Sequence, residues 1–257
     1  MRYSNNYVLI LLPFLLIFSS LSLCANEEEN LMKQANDAYI SKEYEKAVTL
    51  YRQIANNGNE GAILYYNLGN TYFKSGFLAE SVLWYERALR LDPGNEDIQH
   101  NIAFVNQKLV DRIEVLPTFF LTRWWNNLSQ SLTSRGWAIA SIIGTIMLIF
   151  FMISFLISGK NWIRSSSLIL SFTAFLFISF TIIFAVREKN RIRLTPEAII
   201  MESVIHAKST PDDSSNDLFV IHEGLKVQIT DQLNNWVEIK LPNGEKGWIP
   251  KTSIEII

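Results

Sequence analysis

The chain of 257 residues has a single cysteine, Cys24, and only three histidines, His100, His206 and His222, far apart in sequence. An intrachain disulfide framework and a thiolate metal cluster are excluded. No HExxH or Cys/His ligand spacing is present either. His206 and His222 bracket Asp212, Asp213 and Asp217. Without a fixed ligand spacing, these are expected to be solvated loop residues rather than metal ligands. The GxSxG elbow, the GxGxxG loop, the GxxxxGK[ST] loop and a paired acid site are missing too, so the chain is expected to be no enzyme and to need no cofactor. A basic face of the kind nucleic acid requires is also lacking.

Charge is scarce, at 19% of residues against 49% hydrophobic, and mean hydropathy is positive at +0.12. The net charge of −2 conceals an uneven layout. Residues 26–117 hold 14 acids and 9 bases, and residues 195–257 hold 10 acids and 5 bases. The remainder holds 9 bases and 1 acid, so basic residues gather beside hydrophobic stretches, where lipid headgroups would sit.

Three such stretches stand out. Residues 1–25 start with Arg2, run apolar from Val8 to Phe18 and end in small and polar residues, the pattern of a signal peptide or N-terminal anchor. "LSLCA" offers Cys24 as a possible lipidation site, although Leu23 is bulky where lipoprotein signals have a small residue. Residues 137–158 and 165–186 carry no charge until their ends, and each of about 22 residues spans ~33 Å as a helix, enough to cross a bilayer. The six-residue "GKNWIR" loop between them makes a helical hairpin. Ahead of it, residues 117–136 form a connector whose Arg123, Trp124 and Trp125 suit an interfacial anchor. Two orientation signals conflict. The loop has two bases, Lys160 and Arg164, and the outer flanks have six, which counts toward flanks inside the cell. The N-terminal signal argues the reverse. As the first hydrophobic segment it is given priority, placing both soluble parts on the periplasmic side of the bacterial cytoplasmic (inner) membrane.

Residues 26–116 repeat with a period of 34. Ala35 aligns with Gly69 and Ala103, Asn36 with Asn70, Tyr51 with Tyr85 and Asn67 with Asn101. That period implies stacked helix pairs. Small Gly69 and Ser81 would let two helices cross, while Tyr72, Trp84, Tyr85 and Leu91 would fill the core. "KSG" makes a turn, "DPGN" stops a helix, and "NIAFVNQKL" supplies at least one capping helix. The second copy, "YYNLGNTYFKSGFLAESVLWYERALRLDP", closely resembles the tetratricopeptide repeat. The resemblance implies a concave peptide-binding groove lined by Asn36, Tyr39, Tyr66, Asn67, Asn70, Phe73, His100 and Asn101. Asparagine amides there could hold an extended peptide backbone, or could merely bridge helices. Relatives that clamp C-terminal carboxylates use lysine or arginine where this chain has Met32, Asp97 and Asn101, so such a clamp is not expected.

After the charged linker "REKNRIRL", residues 195–257 turn to β patterning. "LKVQIT" and "WVEIKL" alternate, "PNGE" is a hairpin turn, and "KGWIP" and "SIEII" follow. The segment resembles bacterial SH3-like domains. Trp236 and Trp248 are then either a ligand groove for peptide or glycan or plugs of a small core.

The expected fold class is a multidomain membrane protein, with all-α tetratricopeptide hairpins, a two-helix transmembrane hairpin and a C-terminal all-β SH3-like barrel. This order, with the connector "DRIEVLPTFFLTRWWNNL", resembles the BatE family of Bacteroides aerotolerance proteins. The resemblance implies a membrane scaffold linked to oxidative or envelope stress. Its partners would be other Bat proteins of the von Willebrand A type and, indirectly, a MoxR-type ATPase. The alternative is an accessory protein that binds peptidoglycan through the barrel.

Overall fold

The computed structural model describes residues 27–113 and 119–257. The expected signal segment and Cys24 lie outside the described residues.

The first unit is helical. Residues 27–40 form α1, followed by α2 (Tyr44–Asn56), α3 (Ala62–Ser75), α4 (Leu78–Leu91) and α5 (Glu96–Asn106). Gly76, at φ +86°, ends α3 in the left-handed conformation that a side chain would disfavour, and α4 starts two residues later. Asn95 caps α5 by accepting a hydrogen bond from the Ile98 N–H at 3.2 Å. α3 and α4 cross at the two small residues. A Cβ on Gly69 would lie 2.5 Å from the Tyr85 ring, and the buried Ser81 hydroxyl donates to the Gly69 carbonyl at 2.9 Å. Tyr72, Trp84 and Tyr85 are buried as expected, but Leu91 is 39% exposed and outside the core clusters. It is the last residue of α4, beyond the reach of the facing helix.

α6 (Phe120–Gln130) leads to the long helices α7 (Ser134–Ile157) and α8 (Asn161–Leu194). Both are long and apolar enough to cross a membrane, and only 6% and 22% of their most apolar windows are buried. Their outward faces carry exposed Ile146, Phe150, Phe172 and Ile183. They meet where Gly144 lies against Phe177 and Ile178, and Ser167 donates to Ser154 at 3.0 Å, a close packing suited to lipid. Trp125 packs edge-on and Trp137 at a tilt against Phe184, each at 4.9 Å, leaving Trp124, Phe120 and Leu121 exposed on α6. The expected loop "GKNWIR" is shorter than six residues, because α8 already begins at Asn161. "REKNRIRL" is not a linker but the last turns of α8. Its Arg191 forks onto Glu188 one turn back at 2.7 Å and 3.1 Å, which holds the helix together beyond the apolar run.

The last unit is a seven-stranded antiparallel sheet in the order β3-β2-β6-β5-β4-β1-β7. The strands are β1 (Glu197–Ile200), β2 (Val204–Lys208), β3 (Asp217–His222), β4 (Lys226–Leu233), β5 (Trp236–Lys240), β6 (Lys246–Pro250) and β7 (Ile254–Ile256). "PNGE" turns β5 into β6, with Gly244 at φ +93°. The core takes alternate residues, such as Val237 and Ile239 of β5 and Ile249 of β6.

The helical array and the sheet share a core. Among the described residues the third helical copy has α5 but no second helix packed on it, so α4 covers the apolar face of Ile98, Ile102 and Val105 from one side only. Ile199 and Ile257 take the other side, beside Val82, Tyr85 and Ala88 of α4. β1 is buried on both faces. Ala198 and Ile200 enter the sheet core while Ile199 enters the helical one. At the seam, Leu109 presses on Gly224, where a Cβ would come within 2.5 Å of it. Asp111 accepts the His222 N–H at 2.6 Å and sits 2.8 Å from His222 Nδ1. Arg87 pairs with Glu255 at 2.9 Å.

Two substitutions test this packing. Gly69→Ala should lower stability, because overpacking against Tyr85 costs about 1–3 kcal/mol and exceeds the ~1 kcal/mol of helix propensity gained; chemical denaturation reads the difference. Ile199→Asp, a change within the sheet, should speed hydrogen exchange of the α5 amides, since an unpaired charge would enter the shared core at a cost of several kcal/mol. Unchanged α5 protection would refute the shared core.

Candidate functional site

α1, α3 and α5, the first helices of the successive copies, are linked side by side by asparagine amides. An asparagine and a tyrosine 15 residues apart recur with the 34-residue period. Tyr51 donates its hydroxyl to Asn36 Oδ1 at 2.6 Å, and Tyr85 donates to Asn70 Oδ1 at 2.6 Å. A second asparagine joins each pair from the next copy. Asn67 donates to Asn36 Oδ1 at 3.4 Å, and Asn101 donates to Asn70 Oδ1 at 3.1 Å. Asn101 also donates to the Tyr66 hydroxyl at 3.0 Å. The amides therefore bridge helices, the plainer of the two expected roles, and the amide edges these bonds leave over are what a ligand would meet.

A cavity of about 270 Å³ opens on this face, lined by Asn36, Tyr39, Ile40, Tyr51, Asn67 and Asn70. Four of the eight residues expected in the groove line it. Tyr66 packs on Tyr85 at 5.8 Å, and Phe73 packs edge-on against Phe104 at 5.6 Å further along. His100 is exposed on α5 and joins neither the network nor the cavity lining. Sequence reasoning missed Ile40 and Tyr51 as lining residues. Tyr51 had a readable signal, since it aligns with Tyr85 one repeat later. No basic side chain lines the cavity, so it is suited to neutral peptide groups rather than to a carboxylate.

Burial raises the Tyr51 phenol to about 12, with Tyr39 adding to the shift and the bond from Asn67 opposing it. Burial likewise raises Tyr85. Both hydroxyls therefore stay protonated, as hydrogen-bond donors to asparagine.

On the barrel, Trp236 and Trp248 are half-buried and belong to no core cluster, so neither is a core plug. Register places them on the outer face of β5 and β6, as diagonal neighbours: Trp236 pairs with Pro250 and Glu238 with Trp248. Lys208 of β2 sits opposite Trp248 from the other side. Around the rings lie paired charges. Lys208 is 2.7 Å from Asp217, and Lys246 is 2.8 Å from Glu238. The bond from Lys208 lowers the Asp217 pKa, and bonds from Lys246 and Thr230 lower that of Glu238. His206 lies on β2, 2.9 Å from Asp217, and His222 lies on β3 against Asp111. Both histidines are strand residues held by separate carboxylates, not loop residues. Among the described residues no group of three metal-capable side chains comes together.

The tetratricopeptide (TPR) repeat family matches residues 69–110, and the bacterial SH3 domain family matches residues 205–255. The chain thus combines a TPR region with a bacterial SH3 domain. Among curated proteins none matches it. It is similar to the crystal structure of the Sgt2 TPR domain from Aspergillus fumigatus, at 14% identity over 65% of this chain and 82% of that one. The TM-score is 0.31, too low to show a shared overall arrangement.

The tyrosine network yields a pH expectation. A phenol whose folded pKa is raised contributes stability that is present below its unfolded value of 10.0 and lost as pH climbs through about 12. Denaturation midpoints should therefore fall across that alkaline window, and Tyr51→Phe should make the fall shallower. An identical pH slope in wild type and variant would rule the network out as its source.

Proposed function

We propose that the protein is a non-enzymatic adaptor, anchored in the bacterial inner membrane by the α7–α8 hairpin, that holds an extended segment of a partner protein in its concave TPR face. The observation that carries this reading is the Asn36–Tyr39–Asn67–Asn70 cavity within a repeat type built for protein contacts. Membrane anchoring is supported by two apolar helices whose faces are left uncovered by protein. The priority of an N-terminal signal places both soluble units on the periplasmic side. The module order and its resemblance to the BatE family make Bat-type proteins with von Willebrand A domains the partners of choice, with a MoxR-type ATPase reached through them, in an aerotolerance or stress response. A groove and a barrel fixed to one hairpin would hold two partner segments at high effective concentration.

A second reading, peptidoglycan binding, is favoured by the bacterial SH3 match and by the outward-facing Trp236 and Trp248. Aromatic faces beside paired charges suit an amide-bearing glycan.

The two readings separate in the full-length protein. A photo-crosslinking residue in place of Tyr39, used in native membranes, should capture a partner protein that the same probe at Arg52, an exposed α2 position, does not. Equal capture at both positions would reject the groove. Co-sedimentation with purified cell wall that Trp248→Ala abolishes would establish the second reading instead.

A further inference from the structure

The face that carries the Asn36–Asn70 cavity continues beyond it, and the 34-residue period says what each later copy presents there. Ile40 lines the cavity and is 76% exposed. In register with it stand Lys74 on α3 and Lys108 just past α5, both exposed. Asn36 and Asn70 are followed in the same way by Phe104. Successive copies thus set out an aliphatic side chain, an ammonium and a second ammonium in one row.

The packing bears the register out. Phe104 lies edge-on to Phe73 at 5.6 Å and stays 44% exposed. The Lys108 Nζ is 5.0 Å from the centre of the Phe104 ring, which brings that ammonium onto the same face. Among the described residues neither lysine of the row pairs with a carboxylate, whereas Lys46 and Arg87 of the same array each have one. The array is acidic as a whole, with 14 acids to 9 bases in residues 26–117, so a row of unpaired ammonium groups runs against its average charge. The face therefore changes character along its length. It is amide and aliphatic between α1 and α3, and aromatic and cationic from α3 to α5.

Spacing narrows the ligand. Neighbouring helices pack ~8–10 Å apart, and an extended chain covers ~10 Å in three residues at ~3.3–3.6 Å each. A strand crossing the three helices meets Ile40, Lys74 and Lys108 with every third residue.

Resting on the groove reading above, we propose that the partner segment is extended and acidic, with an aliphatic residue seated against Ile40 and Tyr39 and two side-chain carboxylates, at three-residue intervals from it, on Lys74 and Lys108. The neutral cavity takes the aliphatic group and its backbone amides. Charge is met only past the cavity, where the lysines stand.

Full-length protein in detergent micelles is titrated with fluorescein-labelled Gly-Ser peptides carrying Leu-x-x-Glu-x-x-Glu, one in each chain direction, and binding is read by anisotropy. One direction should bind about tenfold tighter than its Gln-for-Glu analogue, and added salt should shrink that advantage. Lys74→Glu combined with Lys108→Glu should turn the preference toward a Lys-for-Glu peptide at an unchanged melting temperature, a reversal that a merely structural role for these lysines would not produce. Equal binding of Glu and Gln peptides, binding of neither, or a preference that survives the charge reversal would each overturn the acidic assignment. The Tyr39 crosslinker separates this from the groove itself. Capture there above that at Arg52, with the Glu peptides failing, removes the acidic segment alone, while equal capture at both positions removes the groove with it.

Discussion

A stack of helix pairs always ends in an apolar face that the next pair would have covered. Here that face belongs to α4 and α5, and it is covered by two isoleucines from beyond α7 and α8 in sequence, Ile199 and Ile257. Water exclusion from this one patch fixes much else. It places the barrel against the end of the array and buries β1 on both faces. It also aligns Arg87 with Glu255, and Lys226 with Glu86, at distances where they pair. Because α7 and α8 separate the two halves in sequence, the contact also requires the hairpin to return the chain to the side it left.

The division of labour over the surface follows. The concave cavity lies between α1 and α3, at the end of the array away from the barrel, while the paired tryptophans face outward from β5 and β6. Neither surface is consumed by the shared core. Both remain open while the charged seam between the units is half-buried and its groups are paired with one another, the arrangement in which ion pairs fix geometry more than they add stability.

Much of this was legible in sequence where the physics is local. Gly69 and Ser81 recur at a helix crossing because only small side chains fit there, and a 34-residue period follows from stacking identical pairs. Uncharged runs and alternating strands announce themselves by composition and by period. What could not be read depends on distant partners. "AII" in β1 has the unbroken apolar character of a strand covered twice, yet nothing local says that a helix provides the second cover. Leu91 fits the repeat's apolar pattern but lies beyond the facing helix. The repeat resemblance put the asparagines in a groove and left open whether they hold a ligand or bridge helices, because their bonds to tyrosines 15 residues on and to asparagines 31 residues on exist only once the helices are stacked. "REKNRIRL" reads as a linker by charge density, and stays helical because Glu188 and Arg191 pair one turn apart.

The position of the covering isoleucines also sets an order of events. When a ribosome has completed α5, roughly 150 residues remain before Ile257 emerges, about 8–30 s at ordinary elongation rates. Throughout that interval the newborn repeats hold an uncovered greasy end, followed by the two long apolar segments of α7 and α8. A chain stalled or cut before its final strand would display that end permanently, marking it for chaperones and proteases as unfinished.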